Sequence, residues 1–187
     1  MKFSSSTIVK DALSTFYRKH DFGTEGGANK KIVKIKIGSW YFILPNTQGR
    51  KRALIFHDIH HLVAGYNVDF KGEAEIGGRE IGSNCKGYLT ALFLNLMAFT
   101  AGVFIYPKRV FNSFVRGRHS QNLYHNIIEK DQLLKMSIKE IQTLLQLNRP
   151  YNRTTLDVLF FIIWILIALA VLSVPFWLIM TLIMLIQ

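Results

Sequence analysis

The stretch HDIHHLVAGYNVDFKGE, residues 57–73, holds three of the chain's six histidines, two aspartates and a glutamate. The residues that precede it have helical character, with Asn46 or Thr47 as the candidate N-cap. Gly65 is a residue type that commonly follows the end of a helix. Asp69 can then cap a second helix. The stretch therefore predicts two helices joined by a short turn, folded back on one another.

Three side chains of the first helix point in one direction. Each helical residue advances by about 100°, which places His61 at roughly 40° and Asp58 at roughly 100° from His57. His57 and His61 lie one turn apart, the spacing of two metal ligands on one helix. Glu73, in the first turn of the second helix, brings a carboxylate to the same place. His60 falls on the other flank, where it is predicted to support the ligands or to pack.

These side chains predict a site for a divalent metal ion. Two imidazoles and two carboxylates, from His57, Asp58, His61 and Glu73, suit zinc, manganese, iron or cobalt better than calcium. A lone histidine on a helix is usually structural. Two histidines four residues apart, with an adjacent aspartate and a downstream glutamate, are less often so, and we interpret them as metal ligands.

A stripe of small and polar residues continues from Glu73 along the second helix: Gly77, Glu80, Asn84, Gly87, Ala91 and Asn95. A helix packed against a core shows large apolar residues there instead. Glycine inside a helix costs about 1 kcal/mol relative to alanine, so the glycines need a reason, either close helix packing or room for a ligand. We favour a ligand groove, with Glu80 as a catalytic residue that handles protons or supports the metal ligands. The substrate-binding candidates are Gly77, Asn84 and Asn95.

The remaining sequence predicts a mainly α-helical domain with one small β-hairpin. Ser6–Lys19 is amphipathic, and KIVKIKIGSWYFILP alternates apolar residues with lysines around a Gly38-Ser39 turn. We assign the helical metal-binding domain to residues 1–150 and a membrane anchor to residues 151–187.

An uninterrupted apolar segment predicts a C-terminal transmembrane helix. No charged residue occurs from Val158 to Ile186, and a helix of that length exceeds the ~30 Å hydrocarbon core. Arg149 and Arg153 precede the segment and no charge follows it. The positive-inside rule then places the preceding domain on the cytoplasmic side of the inner (cytoplasmic) membrane. The single cysteine, Cys85, agrees with a reducing compartment.

A second apolar segment, residues 88–106, is predicted to be a core or membrane-surface helix that does not cross the bilayer. Residues 1–87 carry 14 Lys+Arg against 8 Asp+Glu, and residues 107–155 carry 9 against 3. Both flanks are thus net +6, and a crossing helix would put one of them on the wrong side. The chain's net charge of +11 comes without a nucleic-acid-binding motif. We therefore expect membrane lipid, not nucleic acid, as the partner of the basic surface.

The spacing H-D-x-x-H, eleven residues, then E, formed by His57, Asp58, His61 and Glu73, resembles the motif of the fourth coenzyme Q biosynthesis protein, the Coq-four family. The similarity extends over roughly residues 40 to 125. It implies a mainly helical fold, a bound divalent ion that is usually zinc, membrane association and a role in ubiquinone biosynthesis. The resemblance also implies decarboxylation and hydroxylation at C1 of a polyprenylated aromatic ring. A further implied role is the organisation of other quinone biosynthesis enzymes. The C-terminal span lies outside the family pattern and indicates a membrane-anchored bacterial branch.

Two other functions compete with a metal-dependent ring decarboxylase, which would be a carbon–carbon lyase. One is a non-catalytic, membrane-bound scaffold that holds prenylated quinones and recruits partner enzymes, since the sequence has no flavin-binding fingerprint. The other is an HD-type metal phosphohydrolase, which would need His20 and Asp131 as further ligands beside the His57-Asp58 pair. The sequence leaves the oligomeric state open, a homodimer included.

Overall fold

The computed structural model describes residues 3–37, 40–85, 87–125 and 128–186 and is mainly α-helical, as the sequence predicts. The predicted Gly38-Ser39 turn lies outside the described residues. One antiparallel strand pair accompanies the helices, with Ile32 opposite Pro45 and Ile37 opposite Trp40. The elements, in chain order, are α1 (Val9–Lys19), β1 (Ile32–Ile37), β2 (Trp40–Pro45), α2 (Gln48–Ala64), α3 (Phe70–Gly82), α4 (Leu89–Ile105), α5 (Pro107–Arg118), a 3₁₀ turn (Leu123–His125), α6 (Lys130–Lys135), α7 (Ile138–Leu144) and α8 (Thr155–Ile186).

The predicted start and end of the first central helix are confirmed. The Thr47 side chain caps α2 by accepting a hydrogen bond from the Arg50 backbone N–H at 3.2 Å. Gly65 ends α2 in the left-handed conformation, with φ of 77°, which glycine adopts without steric cost. Asp69 caps α3 by accepting from the Gly72 N–H at 2.8 Å. These local signals place α2 and α3 side by side around the histidines.

The predicted continuous stripe along the second helix is wrong, because the helix ends early. α3 stops at Gly82, Asn84 has a left-handed backbone with φ of 68°, and α4 begins only at Leu89. Residues on either side of this break do not share one helical face. The residues of the predicted stripe belong to two separate helices, α3 and α4, and to the turn between them.

Close helix packing, not room for a ligand, explains the glycines of α3. A Cβ atom added at Gly77 would lie 3.1 Å from the Asn95 carbonyl oxygen of α4. One added at Gly78 would lie 2.7 Å from the Ser113 hydroxyl of α5, and one at Gly82 would collide with the Phe114 carbonyl. On the other side, a Cβ at Gly117 would collide with the Arg79 carbonyl. α3 therefore lies directly against the backbones of α4 and α5.

Two apolar clusters hold the helices together on opposite sides of α2. The first joins α1, α2, α6 and α7 through residues such as Phe16, Ile59, Leu133 and Ile141. The second joins α3, α4 and α5 to the first turns of α8 and includes the buried Phe99. Because α2 contributes to both clusters, its polar face is fixed relative to all its neighbours.

Among the described residues, one helix is long and apolar enough to cross a membrane, the segment Thr155–Pro175 of α8. Its start is tied to α5, since Arg118 Nε donates to the buried Asp157 carboxylate at 2.7 Å. Phe161 then packs on Phe99 and Phe111, with ring centroids 5.5 and 5.1 Å apart. The helix therefore leaves the domain from the α4–α5 side.

Replacing Gly117 with alanine is expected to destabilise the fold by about 1–3 kcal/mol, the usual cost of overpacking a tight contact. The added methyl group would push α5 away from the Arg79 backbone. Chemical unfolding in detergent, followed by circular dichroism, measures the change. Lys139→Ala, at an exposed position of α7, is the control, and equal stability of the two variants would contradict the packing argument.

Candidate metal centre

Three of the four predicted ligands meet at one point. His57 and His61 of α2 face each other with their Nε2 atoms 3.2 Å apart. Glu73 of α3 places one carboxylate oxygen 3.5 Å from His57 Nε2 and the other 3.4 Å from His61 Nε2. Each residue thus offers a ligand atom within 4.8 Å of the others. This His57–His61–Glu73 group could hold a metal ion, as the sequence predicts.

The surroundings of both histidines direct their Nε2 atoms toward the centre of the group. His57 Nδ1 donates to Glu80 Oε1 at 3.1 Å, and His61 Nδ1 faces the Tyr66 carbonyl oxygen at 3.4 Å. An imidazole that donates from Nδ1 presents the lone pair of Nε2. Two such lone pairs 3.2 Å apart repel each other unless a proton or a cation lies between them. Support of the ligand's distal nitrogen by a carboxylate or carbonyl is the usual arrangement around a metal-bound histidine.

The charges around His57 favour a positive charge at this point. Burial lowers the pKa of His57, but the adjacent carboxylates of Glu80 and Glu73 outweigh that effect and raise it well above its ordinary value. Burial likewise raises the pKa of Glu73, yet the two histidines lower it far below its usual range. Glu73 is therefore ionised at neutral pH, and a cation held by the group would meet an anionic ligand.

Glu80 lies behind His57 and is fully buried. Its Oε1 accepts from His57 and, at 2.8 Å, from His60. Its Oε2 accepts from the Asn95 amide at 2.6 Å and the Tyr124 hydroxyl at 2.9 Å. Burial raises its pKa, but the charge of His57 and these hydrogen bonds hold it well below the ordinary value. The Glu80 side chain is therefore held inside the protein beside His57 and is not among the residues that line the cavity.

His60 is fully buried, on a different side of α2 from the ligand candidates. Its Nδ1 donates to Glu80, and its Nε2 accepts from the Leu123 backbone N–H at 3.2 Å. Both ring nitrogens are thus used within the protein. Burial and the nearby Arg79 lower its pKa to about 4. It links α2 to the 3₁₀ turn and has no nitrogen left for a metal ion.

Asp58, the fourth predicted ligand, is not one of the three residues whose ligand atoms meet. Its carboxylate accepts a hydrogen bond from the Tyr17 hydroxyl of α1 at 2.8 Å. Gly26, with φ of 62°, brings the loop after α1 against the same pair, and a Cβ there would lie 2.9 Å from Asp58 Oδ2. Burial raises the pKa of Asp58 to about 6, partly opposed by His57 and Tyr17. Asp58 therefore lies beside the group, with its carboxylate engaged elsewhere.

The group opens into a cavity of about 910 Å³. Its polar lining includes Arg50, Asp58 and the three ligand candidates, together with His20, Asp21, Lys30 and Lys31. Its apolar walls come mainly from α4 and β1 and include Leu94, Met97, Ala98, Ile32 and Val33. His57 and Glu73 keep 23% and 36% of their side chains exposed, so both reach this space. A ligand in the cavity would meet both charged and apolar side chains.

The three predicted substrate-binding residues lie in different places. Asn95 is on the cavity wall, where its amide also donates to Glu80. Gly77 lies in the α3–α4 contact, and Asn84 lies in the turn between those helices, where its carbonyl faces His125 Nε2 at 2.6 Å. Neither Gly77 nor Asn84 is among the residues that line the cavity.

Sequence reasoning missed Tyr17, Tyr124 and Arg50. Tyr17 and Tyr124 lie 41 and 44 positions from their partners Asp58 and Glu80, and no local pattern marks them. Arg50 did carry a signal, because it precedes His57 by seven residues and so lies two turns away on the same helix face. Its charge interacts with Asp58 and Glu73.

Comparison of the chain with known proteins finds no matching family model, no matching curated protein and no matching solved structure. The likeness to the Coq-four family thus stays a prediction from the motif.

A three-ligand site predicts which substitutions remove the metal. Purified protein in detergent is expected to hold about one divalent ion per chain, as a single such site would. His61→Ala and Glu73→Ala should lose it, whereas Asp58→Asn, whose side chain can still accept from Tyr17, should retain it. Elemental analysis of the four proteins measures this. Loss of the ion in Asp58→Asn would show that Asp58 moves into the ligand group.

Replacing Glu80 with glutamine is expected to weaken metal binding by about 10–100-fold, the usual effect of removing a charged partner of a ligating histidine. Tyr124→Phe removes a hydrogen bond to Oε2 but leaves the His57 contact at Oε1, so its effect should be smaller. Competition with a fluorescent chelator gives the affinities. Identical affinities for the parent and Glu80→Gln would rule out support of His57 by this carboxylate.

Proposed function

We propose that this protein is a membrane-bound, metal-dependent enzyme of quinone biosynthesis that removes the ring carboxylate of a polyprenylated aromatic precursor. One observation carries the proposal: three convergent ligand side chains open into a large cavity whose lining is mostly apolar. Structural zinc sites are usually closed by four protein ligands, whereas catalytic sites keep a position open. The substrate class comes from the resemblance of residues 40 to 125 to the Coq-four family.

The roles of the side chains follow from their places. His57, His61 and Glu73 would hold a divalent ion, zinc by the family resemblance, which acts as a Lewis acid when bound. The Arg50 guanidinium, on the same wall, would pair with the ring carboxylate and orient it. Glu80 keeps His57 in the ligating tautomer. Each group either binds the anionic head of the substrate or positions a group that does.

Decarboxylation requires one proton for each carbon dioxide released. The bond between the ring and its carboxyl group breaks, the ring carbon takes the electron pair, and a proton replaces the lost group there. Asp58 lies on the cavity wall beside the ligand group, and a positioned carboxyl group there can act as a general acid toward a bound substrate. We assign it the delivery of this proton. Hydroxylation at the same carbon would also need an oxidant, so the redox-neutral step is the one proposed.

We place the protein in the inner (cytoplasmic) membrane with its helical domain on the cytoplasmic side. The apolar α8 and the basic residues that precede it support this orientation. The prenyl tail of the substrate would lie along α4, against Leu94, Met97 and Ala98. Other enzymes of quinone biosynthesis are the expected partners.

A binding or scaffold role is the second candidate, since an apolar cavity of this size can hold a prenyl chain whether or not chemistry follows. The HD-type phosphohydrolase receives less support. His20 lines the cavity, but Asp131 is exposed on α6 and Asp58 is hydrogen-bonded to Tyr17. His20, Asp58 and Asp131 therefore do not come together with His57 as the metal ligands of such an enzyme would.

Release of carbon dioxide from a polyprenylated hydroxybenzoate by purified protein in lipid nanodiscs tests the proposal. Turnover should require the metal and fall at least about a hundred-fold in His61→Ala, because Lewis-acid stabilisation is worth several kcal/mol. Lys139→Ala should match the parent. Binding of the compound without carbon dioxide release, in the presence of metal, would favour the scaffold role and refute the enzyme.

A further inference from the structure

Helix α4 exposes an apolar face that has no partner among the described residues. Leu89, Phe93, Phe104 and Ile105 are 78%, 43%, 72% and 55% exposed. No charged residue occurs between Leu89 and Ile105. Large apolar side chains exposed along one helix often mark a contact with another protein or with lipid.

Helix α8 packs beside α4 and has an exposed apolar side of its own. Phe161 of α8 packs on Phe99 of α4, and Ala168, farther along α8, is fully buried against the domain. The opposite side of these turns stays exposed, with Leu159 at 50% and Leu166 at 61%. The first turns of the apolar helix thus run beside α4, and the exposed sides of both helices consist of hydrocarbon.

Basic residues gather where the two helices begin and end. A surface cleft of about 750 Å³ contains Lys108 and Arg109, just after α4, and Arg153, just before α8. Tyr106 and Tyr151 line the same cleft. Cations and tyrosines at the end of an apolar surface are typical of the headgroup level of a bilayer.

We infer that the exposed face of α4 lies in the acyl chains of the leaflet that α8 enters first. The occupant of this face is therefore lipid. The inference rests on the proposed membrane span of α8 and on no assumption about the reaction. It has a consequence for the cavity, because Leu94, Met97 and Ala98 of α4 form part of its wall. An apolar ligand would then reach the His57–His61–Glu73 group from the bilayer without crossing water.

Site-directed spin labelling of the full chain in lipid nanodiscs tests this placement. Single cysteines carry a nitroxide at Phe93 and Phe104 on α4, at Leu169 on α8 as the membrane reference, and at the exposed Lys139 as the water reference. Cys85 is 2% exposed, so the parent chain, labelled in parallel, measures the background. Collisions with oxygen and with a water-soluble nickel chelate report the depth of each label.

Labels at Phe93 and Phe104 are expected to resemble the one at Leu169, with frequent oxygen collisions and few with the nickel chelate. If Leu169 reports lipid while Phe93 and Phe104 resemble Lys139, α4 faces water and the inference is wrong although the span stands. Low collision rates with both reagents, together with dipolar broadening between labels, would show a second copy of the chain on this face and also overturn it. A water-like signal at Leu169 would contradict the span itself and leave the metal experiments unaffected.

Discussion

The buried carboxylate of Glu80 on α3 connects three other parts of the helical domain by hydrogen bonds. It receives hydrogen bonds from His57 and His60 of α2, from Asn95 of α4 and from Tyr124 of the 3₁₀ turn. A fully buried carboxylate is costly unless its oxygens are paired, and here each oxygen accepts two hydrogen bonds. Removing one partner of such a buried network commonly costs several kcal/mol. The orientation of His57, and so the geometry of the whole ligand group, depends on this carboxylate staying in place.

The same acceptor gives two nearby histidines opposite properties. His60 uses its second nitrogen for the Leu123 N–H, so the neutral ring satisfies both contacts and its pKa falls. His57 turns its second nitrogen toward Glu73, and its pKa rises. Residue type alone does not distinguish them. The pKa of each ring depends on the group that contacts its second nitrogen. That group is the Leu123 backbone N–H for His60 and the Glu73 carboxylate for His57.

Local signals in the sequence predicted much of this arrangement. These signals depend only on neighbouring residues: the caps at Thr47 and Asp69, the glycine after α2 and the one-turn spacing of His57 and His61. Together they bring Glu73 to the histidines.

Contacts between distant segments were beyond such reasoning. The engagement of Asp58 by Tyr17 joins residues far apart in sequence. The break after Gly82, where Asn84 turns left-handed, removed the stripe on which Gly77 and Asn84 had been assigned to the substrate. Glycines in α3 proved to be sites of backbone contact with α4 and α5, and a sequence does not reveal which helix will approach.

The cavity itself limits what can occupy it, independently of any family resemblance. Its lining presents the charged or polar side chains of Arg50, His57 and Glu73, and part of its wall is formed by Leu94 and Met97. A wholly polar occupant would leave that wall without an apolar partner, and a wholly apolar one would strip water from charged groups without replacing its hydrogen bonds. An amphiphile with an anionic head and a hydrocarbon tail would pair with both kinds of lining. Because such molecules reside in bilayers, we propose that the cavity beside the ligand group and the long apolar helix α8 serve the same ligand.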